Sequence, residues 1–78
     1  MKRTRSIGFD IEGFTADIVA EVRSRGITFT RLYIETGVNQ ASISYMRSKG
    51  AIPDGVNMAA LCKWAGLDAA RYSTNPEN

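Results

Sequence analysis

The sequence contains no histidine and a single cysteine, Cys62. Histidine is the commonest general base near neutral pH and the commonest metal ligand, so its absence removes the usual basis of acid–base catalysis. A single cysteine excludes an internal disulfide and a multi-cysteine zinc site. Because Cys62 falls on an apolar helical stripe, we expect a buried core thiol. We therefore predict no enzymatic activity, no cofactor, no metal and no small-molecule ligand.

Long hydrophobic runs are also missing from the chain. No apolar segment approaches the roughly 20 residues that a membrane span requires. The basic start is followed by Gly8, Asp10 and Glu12 and not by the apolar stretch of a signal peptide. With 78 residues, of which 44% are hydrophobic, the chain is predicted to form one small globular domain. We expect a cytoplasmic protein that makes no membrane contact.

The net charge of +2 is small but unevenly distributed. Residues 1–5 carry three positive charges, and residues 23–49 carry five against one glutamate, whereas residues 6–22 carry four negative charges. Such segregation creates a local field that attracts phosphate even when the whole molecule is nearly neutral. The predicted divisions of the chain are a basic flexible arm at 1–9, a folded domain at 10–72 and a disordered tail at 73–78.

Two short helices hinged on a glycine are predicted between Thr28 and Ser48. Thr28 can cap the first helix, because its hydroxyl can accept from an orphan amide of the first turn. Gly37 follows that helix and can adopt the left-handed conformation that costs other residues about 1 kcal/mol. Val38 then fills the angle between the helices, and Asn39 is a favoured N-cap of the second helix. This is the pattern of a helix-turn-helix motif, whose second helix enters the DNA major groove.

The second helix of this pair exposes small and polar side chains instead of a charged face. Ile43 and Met46 are predicted to face inward, which leaves facing outward Gln40, Ala41, Ser44, Tyr45 and Ser48. Arg47 is the only charge in this stretch, although solvated helix faces are usually rich in Glu and Lys. Glutamine can bind adenine with two hydrogen bonds, and small residues can approach base edges closely. A polar helix of a small bundle that binds no DNA is the alternative interpretation.

Further helices are predicted on both sides of this pair. The first covers about residues 10–25, and its apolar stripe consists of Ile11, Phe14, Ile18 and Val22. Another runs from an Asn57 cap to Gly66, with a stripe of Met58, Leu61, Cys62 and Ala65. Asp68 can cap one more short turn through Tyr72. No strand is predicted, so the fold class is all-α, a compact bundle of about five short helices.

Two segments resemble a known family. Residues 37–47, Gly-Val-Asn-Gln-Ala-Ser-Ile-Ser-Tyr-Met-Arg, resemble the recognition segment of the phage repressor and Cro family of helix-turn-helix proteins. Residues 61–68, Leu-Cys-Lys-Trp-Ala-Gly-Leu-Asp, resemble the helix that closes the bundle of that family. The resemblance covers roughly residues 10–72. It implies a lambda-repressor-like DNA-binding domain and a small Cro-like or prophage regulator that represses or switches transcription.

Two positions depart from the family pattern. Tyr33 stands where the family usually has a small residue that lets the two helices cross closely, so the ring must tilt the pair or leave the contact. The glycine that usually ends the recognition helix directly after Ser48 is replaced by Lys49, and Gly50 follows it. We therefore expect the C-cap to move by one residue and Lys49 to become a candidate phosphate contact.

The resemblance also implies roles for individual residues. The positions that match base readers are Gln40, Ala41, Ser44 and Tyr45. The positions that match phosphate contacts are Thr28, Thr30, Asn39 and Ser42. Charge and exposure add two further phosphate contacts, Arg31 and Lys49. The basic residues near the start are similar to the flexible arms with which some family members embrace DNA: Lys2, Arg3 and Arg5.

The expected partner is a double-stranded DNA operator. One small module buries about 600–1,000 Å² of protein surface on DNA, which is little for the recognition of one site in a genome. We therefore expect a homodimer on a palindromic operator. Two alternatives stay open for its assembly: the dimer forms in free solution, or it forms only on the operator. Its predicted interface lies around Trp64, Leu67 and Tyr72, where large side chains collect away from the motif. The predicted function is a sequence-specific DNA-binding transcription regulator. The alternatives are a protein-interaction module, such as an antitoxin or antirepressor, and an architectural or recombination accessory protein.

Overall fold

Residues 8–73 are described by a computed structural model and contain four α-helices and one 3₁₀ helix. The helices are α1 (Ile11–Ser24), α2 (Phe29–Thr36), α3 (Gln40–Lys49) and α4 (Gly55–Ala65), followed by a 3₁₀ helix at Ala69–Tyr72. Apart from one isolated bridge, this range holds no β-structure. The predicted all-α class is confirmed, with four α-helices and a 3₁₀ turn where about five short helices were expected.

Each helix begins at a side chain that accepts a hydrogen bond from the first turn. The predicted caps Asp10, Thr28, Asn39 and Asp68 all do so. The prediction for α4 was wrong, because its cap is Asp54, whose carboxylate accepts from the Asn57 amide at 2.9 Å. Both residue types are good caps, and the choice of Asp54 starts the helix earlier than the apolar stripe indicated.

The core is built from one stripe on each helix. Phe14, Ile18 and Val22 of α1 recur every four residues and are at most 3% exposed. The other elements bury Leu32, Val38, Ile43, Met46, Leu61 and Tyr72 against them. Since α3 contributes only its inward pair to this core, the packing fixes which side of α3 faces solvent.

The two ends of the described range lie together. Phe9 forms an antiparallel bridge with Ser73, and the Asp10 amide donates to the Tyr72 carbonyl at 2.7 Å. The Phe9 ring also lies edge-on to Phe14, with 5.8 Å between the ring centroids. Backbone contacts therefore join Phe9 and Ser73 to each other next to the helical domain.

None of the helices in residues 8–73 combines the length and the apolar character needed to cross a bilayer. The longest, α1, has 14 residues.

Candidate nucleic-acid interface

The turn between α2 and α3 is closed by its own hydrogen bonds. The Thr36 hydroxyl donates to the Leu32 carbonyl at 2.8 Å and accepts from the Val38 amide at 3.1 Å. Gly37 has a φ of 76°, and its amide donates to the Tyr33 carbonyl at 2.9 Å. Val38 is 1% exposed, as its predicted place between the helices requires. The angle between α2 and α3 is thus fixed by local geometry and one buried side chain.

The first turn of α3 is anchored from two sides. The Asn39 side-chain oxygen accepts from the Ser42 amide at 2.8 Å. The Asn57 side chain, at the start of α4, donates to the Ser42 hydroxyl at 3.1 Å. Ile43 and Met46 are buried below them. These contacts hold α3 so that its opposite side is presented to solvent.

Four predicted base-reading residues line one shallow depression of about 430 Å³ on α3: Gln40, Ala41, Ser44 and Tyr45. All four are exposed, and the Tyr45 side chain is 52% exposed although it is large and mostly apolar. The face carries hydrogen-bonding groups, a methyl group and an aromatic ring but no formal charge. A surface of this composition suits the edges of bases, which offer neutral donors, acceptors and the thymine methyl.

One cation, Lys49, borders this face at the C-terminal end of α3. The Lys49 ammonium lies 5.4 Å from the centre of the Tyr45 ring. Gly50 has a φ of 68° and ends the helix, which confirms the predicted one-residue shift of the C-cap. Lys49 is therefore the last helical residue and lies beside a predicted base reader.

Arg47 is a basic residue that the sequence analysis did not assign to the interface. Its guanidinium lies 4.0 Å from the centre of the Phe29 ring, at the first residue of α2. The charge of Arg47 therefore lies beside the capped N-terminus of α2. Phe29, which it contacts, is flanked in the chain by Thr28 and Thr30. One sequence feature could have indicated a role for Arg47: it is the only charged residue between Asn39 and Ser48. The contact of Arg47 with Phe29 could not be predicted from the sequence, because it depends on how α2 and α3 cross.

The predicted phosphate-contacting residues differ in how free their polar groups are. Thr28 accepts from the Arg31 amide at 3.1 Å, which leaves its hydroxyl hydrogen to donate, and Thr30 is exposed. Asn39 uses its side-chain oxygen as a cap, which leaves its amide hydrogens. Ser42 is half-buried, and its hydroxyl already accepts from Asn57. Thr28, Thr30 and Asn39 are thus better placed than Ser42 for an external anion.

Arg31 belongs to a hydrogen-bond network that joins α2 to Trp64 of α4 through Glu35. Its guanidinium donates to Glu35 at 2.8 Å, and the Trp64 indole donates to the same carboxylate at 2.8 Å. These two hydrogen bonds, that of Trp64 first, lower the pKa of Glu35. The Arg31 side chain remains 60% exposed, so it can still meet a phosphate, but its charge is partly balanced by Glu35.

Trp64 and Leu67 of the predicted dimer interface are half-buried against the core. The Arg25 guanidinium lies 4.0 Å from the centre of the Trp64 ring and donates to the Trp64 carbonyl at 2.6 Å. Arg25 also pairs with Glu21 at 2.8 Å, as the four-residue spacing predicted. Trp64 therefore connects α1, α2 and α4 within one chain.

Tyr72 corrects the prediction of an exposed interface residue. It is 6% exposed, packs edge-on against Phe14 and donates its hydroxyl to Asp17 at 2.5 Å. Burial and this hydrogen bond raise the pKa of Tyr72 to about 12. Sequence reasoning missed this role because Asp17 is 55 residues away in the chain. Tyr72 belongs to the hydrophobic core and offers almost no exposed surface for the predicted dimer contact.

Four further predictions concern Tyr33, Cys62, a metal site and the basic arm. Tyr33 is half-buried and stays packed against the core, so it does not leave the helix contact. Cys62 is half-buried rather than fully buried, and desolvation raises the pKa of its thiol. Within residues 8–73 no three acidic or cysteine side chains are grouped to hold a metal ion. The arm residues Lys2, Arg3 and Arg5 lie outside the residues that the structure describes.

Comparison with known proteins returned no match: no family model, curated protein or solved structure matches this chain.

Proposed function

We propose that this chain is a sequence-specific DNA-binding transcription regulator, a Cro-like repressor with a lambda-repressor-like helix-turn-helix fold. It inserts α3 into the major groove of a double-stranded operator. The observation that carries the proposal is an exposed, uncharged face on α3, with Lys49 beside its aromatic ring, that consists of Gln40, Ala41, Ser44 and Tyr45. A helix of this size fits the major groove, which is about 12 Å wide.

Base reading follows from the chemistry of that face. The Gln40 amide can donate to and accept from adenine at the same time, and each such pair contributes about 1–3 kcal/mol of discrimination. Ala41 and Ser44 are short enough to let the helix approach the base edges. Tyr45 reaches furthest from the helix and can contact a base or a phosphate. The buried pair Ile43 and Met46 sets the direction in which all four point.

Phosphate contacts give affinity and register. The N-terminus of α2 offers backbone amides together with the Thr28 and Thr30 hydroxyls, and Arg47 lies beside it. Lys49 provides a second cation at the far end of the reading face. Arg47 and Lys49 are two residues apart on α3 and therefore project in directions about 200° apart around the helix axis, so they can reach phosphates on opposite sides of the groove.

The bound protein represses by occupying an operator and excluding polymerase. A single module contacts only a few base pairs, so two copies on a palindrome, with half-sites about one helical turn apart, are needed for useful specificity. The proposed function places the protein in the cytoplasm, on the nucleoid when it is bound.

Selection of bound sites from random duplexes tests the proposal. We expect a defined motif with two-fold symmetry, and preference for that motif over a scrambled duplex of equal length. Binding to all duplexes with equal affinity would instead favour an architectural or recombination accessory protein. Absence of binding at low salt would favour a protein-interaction module, such as an antitoxin or antirepressor.

A further inference from the structure

The Phe29 ring joins the start of α2 to the last turn of α3. Phe29 is half-buried and packs against the core, so the fold fixes the position of its ring. The guanidinium of Arg47, an exposed residue, lies over this ring at 4.0 Å from its centre. At this distance the electron-rich face of the ring attracts the cation. The core therefore determines, through one ring, where the charge of Arg47 lies.

Arg47 differs from the arginines that form ion pairs. Arg25 and Arg31 each donate to a glutamate one helical turn away, at 2.8 Å. Within residues 8–73 Arg47 forms no ion pair, although Glu12 lines the same depression between α1 and α3. An aromatic face attracts a cation without accepting a conventional hydrogen bond, so the N–H donors of the guanidinium remain for an anion. The ring thus holds this charge without neutralising it.

The Arg47 charge lies where the first turn of α2 has unused amides. The hydroxyl of the cap residue Thr28 accepts from the Arg31 amide at 3.1 Å. The amides of Phe29 and Thr30 have no partner within the helix, and together with the positive end of the helix dipole they favour an anion. Arg47 itself lies in the last turn of α3, where the dipole of that helix favours a cation. A cation from the end of one helix is thus brought to the anion-binding end of another.

We propose that Phe29 is a positioning residue, whose ring holds the Arg47 guanidinium at the N-terminus of α2 so that the guanidinium and the α2 amides bind one phosphate of the DNA backbone together. This inference rests on the proposed function, in which Arg47 binds phosphate, and adds the residue that places it. The planar guanidinium can donate two parallel hydrogen bonds to a phosphate. Without the ring, the Arg47 side chain can turn toward Glu12, and part of its charge is then balanced within the chain.

A double-mutant cycle between Phe29 and Arg47 tests the positioning role. Affinity for the selected operator is measured at several salt concentrations for Phe29→Leu, for Arg47→Ala and for the double variant. Phe29→Leu keeps an apolar side chain against the core but removes the aromatic face. We expect it to weaken binding by about threefold to tenfold and to flatten the plot of log affinity against log salt toward that of Arg47→Ala. In the Arg47→Ala background the same substitution should have no further effect.

Two further variants separate positioning from packing. Phe29→Tyr keeps the aromatic face and should bind as the unmodified chain does. Leu67→Ala truncates another half-buried side chain that packs against the core, and it should leave the salt slope unchanged. Urea denaturation shows whether each variant is folded under the conditions of the titration.

The outcomes distinguish the positioning role from the proposed function. Equal losses of affinity from Phe29→Leu in both backgrounds, with an unchanged salt slope, would overturn the positioning role, while operator preference of the unmodified chain would leave the proposed function standing. Coupling between the two residues on DNA that is bound without sequence preference would support the positioning role and overturn the proposed regulator. An unmodified chain that binds no duplex at low salt would overturn both.

Discussion

At the scale of single residues, the structure separates polar groups that are already used from those that remain free. Ser42 and Ser48 both lie on α3, but the Ser42 hydroxyl accepts from Asn57 and the Ser48 hydroxyl donates to the Ser44 carbonyl at 2.8 Å. Gln40 and Tyr45 lie exposed on the same helix around one depression. We therefore expect the free groups to contact an external partner, whereas the engaged ones are bonded within the chain.

Replacement of free and engaged side chains is expected to give different results. Gln40→Ala and Tyr45→Ala should each reduce the preference for the selected operator over random DNA, by about 1–3 kcal/mol for a bidentate contact. Ser48→Ala, on the same helix, should leave that preference unchanged because its hydroxyl is bonded to its own backbone. Competition binding with operator and scrambled duplexes measures the difference.

Arg47→Ala is the contrasting substitution in the same assay. We expect it to weaken binding equally on all sequences and to flatten the plot of log affinity against log salt by about 0.9, the value for one phosphate that the protein no longer neutralises. Equal effects of Gln40→Ala and Arg47→Ala on specificity would contradict the division into base-reading and phosphate-binding residues.

Tyr72 predicts a decrease of stability in alkaline solution. Its pKa is raised from 10 to about 12 in the folded chain, first by burial and then by the Asp17 hydrogen bond. The unfolded chain therefore loses the Tyr72 proton first, and the free energy of unfolding falls as the pH rises from 10 to 12, by up to about 2 kcal/mol. Urea denaturation at pH 9 and pH 11 measures the change. Tyr72→Phe should remove this part of the pH dependence, and an equal pH dependence in both proteins would count against the assignment.

At the scale of elements, the α2–α3 turn sets the direction of α3, the proposed reading helix. Gly37 supplies the left-handed residue, Thr36 closes the turn from both sides and Val38 fills the space beneath. None of these contacts depends on a distant part of the chain except the burial of Val38. The turn at residues 36–38 is therefore formed by local hydrogen bonds, and the other helices contribute by burying Val38.

Two glycine substitutions separate backbone strain from packing. A methyl group on Gly37 or on Gly55 meets no atom within 4 Å, but only Gly37 has a positive φ. Gly37→Ala should lower the free energy of unfolding by about 1 kcal/mol, whereas Gly55→Ala at the start of α4 should leave it unchanged or raise it by up to about 0.5 kcal/mol. Urea denaturation of both variants checks this. Equal stability of the two variants would show that the hinge does not need a left-handed residue.

At the scale of the whole molecule, charge and chain topology act together. The bridge between Phe9 and Ser73 places both ends of the described range on one side of the bundle, beside Phe14 and Tyr72. Two basic residues of the proposed interface, Arg47 and Lys49, lie on α3, whereas Arg31 on α2 is paired with Glu35 and most charges of α1 are acidic. We expect a phosphate backbone to be attracted to the side of α3, where the two cations Arg47 and Lys49 outnumber the neighbouring Glu12, although the net charge is small.

The basic residues Lys2, Arg3 and Arg5 are expected to add affinity but little specificity, because phosphate contacts carry no direct sequence information. Deletion of residues 1–5 should flatten the salt dependence of log affinity by about 0.9 for each phosphate that these residues neutralise in the full chain, with an unchanged operator motif. Binding titrations at several salt concentrations measure the slope. A slope equal to that of the full chain would show that this segment does not touch DNA.

Helix positions and most helix ends followed from the sequence alone. Caps such as Thr28 and Asn39, and the glycines at 37 and 50, act within about four residues, so their effects can be seen in the chain itself. The start of α4 was the exception, because Asp54 and Asn57 are both good caps and nothing local chooses between them. The outward face of α3 was also predictable, since the inward pair Ile43 and Met46 defines its opposite side.

Only the tertiary structure decided which distant side chains meet. Arg47 lies on Phe29, Trp64 donates to Glu35 across 29 residues, and Tyr72 is buried against α1. Sequence periodicity shows that a residue is apolar or exposed on its own helix, but not which neighbouring helix covers it, because that depends on how the helices cross. For this reason the sequence determined which side of α3 faces solvent, whereas only the packing of α1 against the 3₁₀ helix decided that Tyr72 is buried.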